Sequence, residues 1–229
     1  AENLAGSYSI PRRQQDEFAI ASQEKAAAAQ AAGKFSDEIV PIKSDSGVVD
    51  QDGCIRADTT LESLGDLKPA FDENGSVTAG TSSPLTDGAA AVLVCTEDYA
   101  ERTGLDPLAR IKSIAVAGCK PEIMGIGPVA ASKKAAERAG IEIGVMDIIE
   151  LNEAFASQSI ACIRDLDLDM AKINLDGGAI ALGHPLGATG ARITAKAAQI
   201  LKRDGGDLAL ATQCIGGGQG IATILERIK

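Results

Sequence analysis

Asp176 to Gly190 reads DGGAIALGHPLGATG and places His184, the only histidine among 229 residues, between Gly183 and Pro185. Glycines permit tight turns and close backbone approach, while proline fixes one dihedral and removes a donor. A loop of this composition holds an imidazole stiffly, and imidazole takes and returns protons near neutral pH. A second glycine-rich stretch, Gln213 to Gly220 (QCIGGGQG), sets Cys214 and Ile215 ahead of three consecutive glycines. A thiol and an imidazole on two such loops point to acid/base or thiol chemistry on a carbonyl compound. Two plainer readings stand beside that one: both loops are tight connections, or one of them cradles a phosphate. A dinucleotide site fits poorly, because neither loop shows GxGxxG opening a helix straight after a strand with an acidic residue about 20 positions on.

Outward from these loops, strand and helix patterns alternate. Residues 208–212 and 220–226 flank the QCIGGGQG turn and are expected to pair as antiparallel strands. The stretch 190–203 is amphipathic, with Ile193, Ala197, Ile200 and Leu201 on one face. Upstream, 111–117 and 147–151 read as strands, 129–139 as a helix stopped by Gly140, and 152–166 as a mostly apolar, buried helix. The run 89–95 (AAAVLVC) is continuously apolar, as for a strand buried on both faces, and leads into a helix at 97–103. Such alternation predicts an α/β fold, layered, with a mixed sheet and helices on both faces. The 89–95 strand finds too few neighbours here to build a second sheet, which suggests missing upstream sequence.

The first third reads differently. Ser9 as cap, Pro11 in the first turn and Gly33 at the end define one long helix packed on the core, with Phe18 as its apolar anchor. From Phe35 to Thr86 the pattern breaks into short pieces, with strands expected at 38–42 and 75–79 and a helix at 61–67. Ligand contacts concentrate in loops laid over a scaffold. Arg56, Ser63, Phe71 and Ser83 are the side chains there able to hold a polar, partly aromatic ligand.

Hydrophobic residues make up 45 % of the chain but aromatics only 3 %, so the core must be built from Ala, Ile, Leu and Val. The formal charge of -10 argues against a nucleic-acid or anionic-membrane surface. Five cysteines without a CxxC pair read as reduced thiols in the cytoplasm or another reducing, non-secreted compartment. Zinc or another metal is not expected with one histidine and this spacing. No apolar run approaches a membrane-spanning length and no signal peptide is evident, so a soluble chain without membrane insertion is expected. The opening AENLAGSYSI lacks Met and looks cut.

Three motifs in order, ELNEAFA (Glu150 to Ala156), GGAIALGHPLGATGARI (Gly177 to Ile193) and CIGGGQG (Cys214 to Gly220), resemble the C-terminal part of a thiolase. The likeness extends through QDEFAIASQEKAAAA near the start and TAGTSSPLTDGAAAVLV at Thr78 to Val94. TSSPLTDGAAA and the glutamine of CIGGGQG look more like degradative 3-ketoacyl-CoA thiolases than biosynthetic acetoacetyl-CoA thiolases. The resemblance implies reversible Claisen chemistry, here thiolytic cleavage of 3-ketoacyl-CoA in fatty-acid β-oxidation, with coenzyme A and acyl-CoA as substrates and no tightly bound cofactor. It implies that His184 activates a nucleophilic cysteine and helps line an oxyanion site in which Asn152 holds a water. Cys214 would exchange the proton of the acetyl-CoA enolate, with a pKa drawn toward neutral by the imidazole and local N–H groups, and the Gly216 N–H would join a second oxyanion hole. For the coenzyme it implies Arg56 near the phosphates, Ser83 at the pantetheine, Phe71, Ala154 and Phe155 along its tunnel, and Ser63 and Ala79 as further contacts.

The same resemblance divides the chain into 1–85 (later part of the loop domain), 86–106 (last helix and strand of the N-terminal core domain) and 107–229 (C-terminal core domain). It implies a homodimer or tetramer. The family's nucleophilic cysteine lies in an N-terminal half absent here, and none of Cys54, Cys95, Cys119 or Cys162 sits in a matching segment; Cys95 and Cys162 read as small buried hydrophobes. The chain alone is therefore expected to hold the acid/base half of a site and not to turn over. A non-catalytic acyl-CoA or lipid-binding member is the rival of another class, and intact acid/base motifs count against it.

Overall fold

The computed structural model describes every residue except Ser46 and Lys229. Two helices open the chain, α1 (Glu2–Ser7) and α2 (Arg12–Ala31), where one was expected. Ser9 has φ +50° and lies in the turn between them, so it reverses the chain instead of capping a helix, and Pro11 takes the N-cap position. Phe18, Ala19, Ala26 and Ala29 form the buried face of α2, with Phe18 the large anchor as anticipated.

The segment that follows is thinly structured. β1 (Ile42–Ser44) and β2 (Gly47–Val49) make an exposed antiparallel hairpin that shares only Ile42 with the strand expected at 38–42. The short helix α3 (Leu61–Gly65) forms as expected. The strand expected at 75–79 does not: Thr78 makes a single bridge to Pro69, and a 3-10 turn, Ala79–Thr81, begins at once. Thr78 and Thr81 cap each other's backbone there, and these local side-chain bonds compete with a ladder.

The largest correction concerns 89–95. It is neither a strand nor buried; Leu93 is 73 % and Val94 67 % exposed, and Cys95 is exposed as well. Among the described residues no strand lies beside it, so its backbone has no ladder to join. Helix α4 (Glu97–Thr103) then forms where expected, closed by Gly104 in the left-handed region.

The rest is a four-stranded mixed sheet of β3 (Arg110–Gly118), β4 (Ile148–Leu151), β5 (Leu208–Ile215) and β6 (Gln219–Glu226), in the order β3-β6-β5-β4. β5 and β4 are parallel; the other two pairs are antiparallel. Alternation along β5 explains the layers. Ala209 and Ala211 pack with Ile193, Ala197 and Leu201 of α8 (Thr189–Asp204), while Leu210 packs with Ala131 and Ala135 of α5 (Gly127–Ala139). α6 (Ala156–Leu166) covers that second face beside α5 and carries the buried Cys162. Helices on both faces of a mixed sheet are the layered α/β arrangement expected, and two-sided burial is why β5 opens with the apolar residues Leu208 to Ala211. α6 starts four residues later than expected. Asn152 N–H is bonded to Thr212 O and the Ala154 carbonyl to Ser83 N–H, so the backbone of 152–155 pairs across the fold instead of within a helix.

Candidate active site

Parallel strands β4 and β5 end on one edge, and the loops beyond the carboxyl ends of parallel strands are where α/β sheets hold ligands. Asn152 follows β4 directly and Cys214 is the penultimate residue of β5. The third group arrives from a loop. The short helix α7 (Ala179–Leu182) ends at Gly183, whose φ of +94° and packing against Thr86, 2.8 Å from where a β-carbon would lie, leave no room for a side chain. His184 follows.

The hydrogen bonds of His184 assign its tautomer. With the Thr189 hydroxyl proton placed on Pro185 O, 3.0 Å away, Thr189 Oγ1 accepts from His184 Nδ1 at 2.7 Å, and Nδ1 is assigned the hydrogen. Nε2 is left with a lone pair, and Asn152 Nδ2 faces it at 3.4 Å. Burial first, and the Arg192 charge second, hold the imidazole below its ordinary pKa. The ring is thus neutral at pH 7, with one nitrogen open to a proton.

Asn152 is buried and held at its backbone, and its Oδ1 has no hydrogen-bond partner among the described residues. Such an atom calls for a partner from outside the chain. Glu150, two residues earlier, is also fully buried; desolvation pushes its carboxyl up to about 8, only partly offset by Arg192 and Lys196.

Cys214 departs from the near-neutral thiol expected. Burial pushes it up to about 11, and its own backbone amide offsets this only in part. No hydrogen bond joins the imidazole to Cys214 among the described residues, so the ring does not offset the burial. The thiol is a proton donor at rest. Gly216 lies beyond the last β5–β6 pair, Ile215 with Gln219, and is exposed with open space around it.

Five of the seven residues assigned to the coenzyme come together. Phe71 and Phe155 meet edge to face with ring centres 5.9 Å apart, and Ser83 N–H donates to Ala154 O at 3.0 Å. Ala79 sits in the 3-10 turn just before Ser83. The other two stand apart. Ser63 uses its hydroxyl in a reciprocal cap with Thr60 at the start of α3, and Arg56 is exposed, its backbone N–H bonded to Gln23 Oε1 at 2.7 Å. The sequence reading passed over Glu150, Glu153, Asn174 and Arg192. Glu150 and Glu153 lay inside ELNEAFA and Arg192 inside GGAIALGHPLGATGARI, while Asn174 lay outside every quoted motif; the burial of the two carboxylates is tertiary.

Two family models match, "Thiolase, N-terminal domain" over residues 1–98 and "Thiolase, C-terminal domain" over residues 105–227. The chain is 56 % identical to the acetyl-CoA acetyltransferase of Paracoccus denitrificans over 231 residues, covering 99 % of this chain and 59 % of that protein. It is 53 % identical to the 3-ketoacyl-CoA thiolase of Marinobacter nauticus over 237 residues, covering 100 % of this chain and 61 % of that one. The solved human mitochondrial 3-ketoacyl-CoA thiolase in complex with CoA superimposes with a TM-score of 0.97 at 48 % identity, covering 100 % of this chain and 58 % of that one. The chain thus spans about three fifths of the length of these relatives. With both domain models matched and the fold shared throughout, the chain belongs to the thiolase family.

Proposed function

We propose that these residues supply the acid/base half of a thiolase that cleaves a 3-ketoacyl-CoA with coenzyme A, yielding acetyl-CoA and an acyl-CoA shortened by two carbons. The observation that carries the reading is the placement of His184, with Nδ1 2.7 Å from Thr189 Oγ1 and Nε2 3.4 Å from Asn152 Nδ2. Nε2 would take the proton of a cysteine supplied by sequence outside this chain, and the thiolate would attack the 3-keto carbon. As the bond between the second and third carbons breaks, its electron pair moves onto the departing acetyl-CoA as an enolate. Cys214, a neutral thiol in its buried setting, gives that enolate its proton. The resulting thiolate takes the proton of the incoming CoA thiol, whose sulfur attacks the acyl-enzyme thioester and frees the cysteine.

Charge on the oxygens would be met by His184 with a water held by Asn152, and by the Gly216 N–H. The Phe71–Phe155 edge with Ala79, Ser83 and Ala154 would line the pantetheine path, with Ser63 at its margin and Arg56 reaching the phosphates. CoA acts as substrate, not as a resident cofactor. The degradative direction, the division at 85 and 106, assembly as a dimer or tetramer, and a reducing compartment complete the proposal.

Titrating the chain with CoA and with NAD tests the binding half; preference for NAD sinks the reading. Chemistry is tested in a longer protein carrying this sequence, assayed for 3-ketoacyl-CoA cleavage. His184→Ala and Cys214→Ala should each cost about 100-fold or more in kcat, and the 229-residue chain alone should show no turnover.

A further inference from the structure

Beside Asn152 the fold buries a carboxylate whose hydrogen bonds come from three separate segments. Glu153 is 2 % exposed. Its Oε1 accepts from Asn174 Nδ2 at 2.7 Å, and its Oε2 accepts from Ser22 Oγ at 2.6 Å and from the Ile180 backbone N–H at 3.1 Å. Ser22 Oγ itself accepts from the Gly178 N–H at 3.1 Å, which directs the hydroxyl proton toward Glu153. All these groups donate, the set that an ionised carboxylate satisfies and an amide does not.

The segments joined are those that matter for the site. Gly178 and Ile180 lie at the start of α7, whose far end leads through Gly183 into His184. Asn174, at φ +46°, also accepts from Leu151 N–H and donates to Leu151 O, clamping the strand residue just before Asn152. The approach is so close that a β-carbon on Gly178 would lie 2.1 Å from Glu153 Cδ. Asn152 and His184 therefore hang from opposite sides of one carboxylate.

We infer that Glu153 is a positioning residue: it pins the strand end bearing Asn152 to the loop bearing His184 and so sets the 3.4 Å approach of Asn152 Nδ2 to His184 Nε2. The catalytic meaning of this spacing rests on the acyl-CoA reading. The spacing itself is accessible without turnover. Because His184 is the only histidine, its ring nitrogens give an isolated signal.

The experiment is 15N NMR of the His184 ring across pH, with backbone amide exchange, on the chain and on Glu153→Gln, Ser22→Ala and Tyr8→Phe. Tyr8 bonds Asp165 far from the loop and serves as a control for stability loss alone. In Glu153→Gln the ring resonances should move, the midpoint should rise toward the ordinary histidine value as the loop opens to water, and exchange at Gly178 and Ile180 should quicken about tenfold, the equivalent of 1.4 kcal/mol. Amides of β5 and β6 should keep their protection. Ser22→Ala should shift the same signals less, and Tyr8→Phe not at all. A folded Glu153→Gln with unchanged His184 resonances and midpoint overturns the inference. If that variant does not fold, Ser22→Ala decides, and an unchanged ring signal there overturns it too. CoA titration of the same samples judges the acyl-CoA reading separately: a wild-type chain that ignores CoA removes that reading and leaves the positioning result standing.

Discussion

The two glycine-rich loops look alike in sequence but differ where the chemistry sits: the glycines leading to His184 are crowded, those following Cys214 are open. In 176–190 three glycines are crowded by a neighbour: Ala26 stands against Gly177, Glu153 against Gly178 and Thr86 against Gly183, while Gly187 has open space. In 213–220 the glycines at the tip, Gly216 and Gly217, have nothing within 4 Å of a hypothetical β-carbon, while Gly218 and Gly220 abut the backbone of Cys119 and Gly127. One loop is a wedge driven between a helix and a strand end, which fixes an imidazole. The other is an open rim beside a buried thiol. Glycine content alone does not say which, because close approach and conformational freedom are separate reasons for the same residue.

Substitution should separate the two loops most sharply at their glycines. Gly178→Ala forces a methyl into Glu153 and should cost about 3 kcal/mol in urea unfolding, whereas an equal loss at Gly216→Ala would erase the contrast. The next effect appears on the pH axis. Cys214 is raised from 9.0 to about 11, so between those values the folded chain keeps a proton that the unfolded chain loses. Stability intact below pH 9 should therefore fall, by on the order of 2 kcal/mol, as pH rises through that window, and Cys214→Ser should flatten the slope. His184 gives the opposite limb. Its pKa is lowered from 6.5, so the unfolded chain binds a proton first and this group's contribution falls as pH drops below 6.5, against the gain from Glu150, which is raised to about 8; the difference between the wild-type chain and His184→Gln isolates it. Thr189→Val leaves the ring nitrogen without its acceptor and should cost about 1 kcal/mol and shift the ring tautomer, while Thr189→Ser should preserve both. The smallest effect is Gly216→Ala itself, which at an open position should stay within about 0.5 kcal/mol.

The same contrast marks what could be read from the sequence. Elements with long periodic patterns and punctuated ends, such as α5 with Gly140 after it or the β5–β6 hairpin around its glycines, fell where expected. His184 and Asn152, singled out through motifs and not through periodicity, lie 3.4 Å apart between Nε2 and Nδ2. What failed depended on partners distant in sequence. The apolar run 89–95 reads as a strand, but a strand needs a neighbour. Asn152 to Phe155 read as helix because their backbone bonds to Thr212 and Ser83 leave no local trace. The raised thiol of Cys214 was misjudged because burial, not a neighbouring charge, decides it.

The exposed run 89–95 has a practical consequence for handling the isolated chain. Seven uncharged, exposed residues outside any helix or strand, with Leu93 and Val94 facing water and a free thiol at Cys95, offer an unprotected template for strand addition. The overall negative charge opposes stacking at low salt, but that protection shortens as ions are added. Concentrated samples in high salt without reductant are where self-association, and then cross-linking through Cys95, should set in.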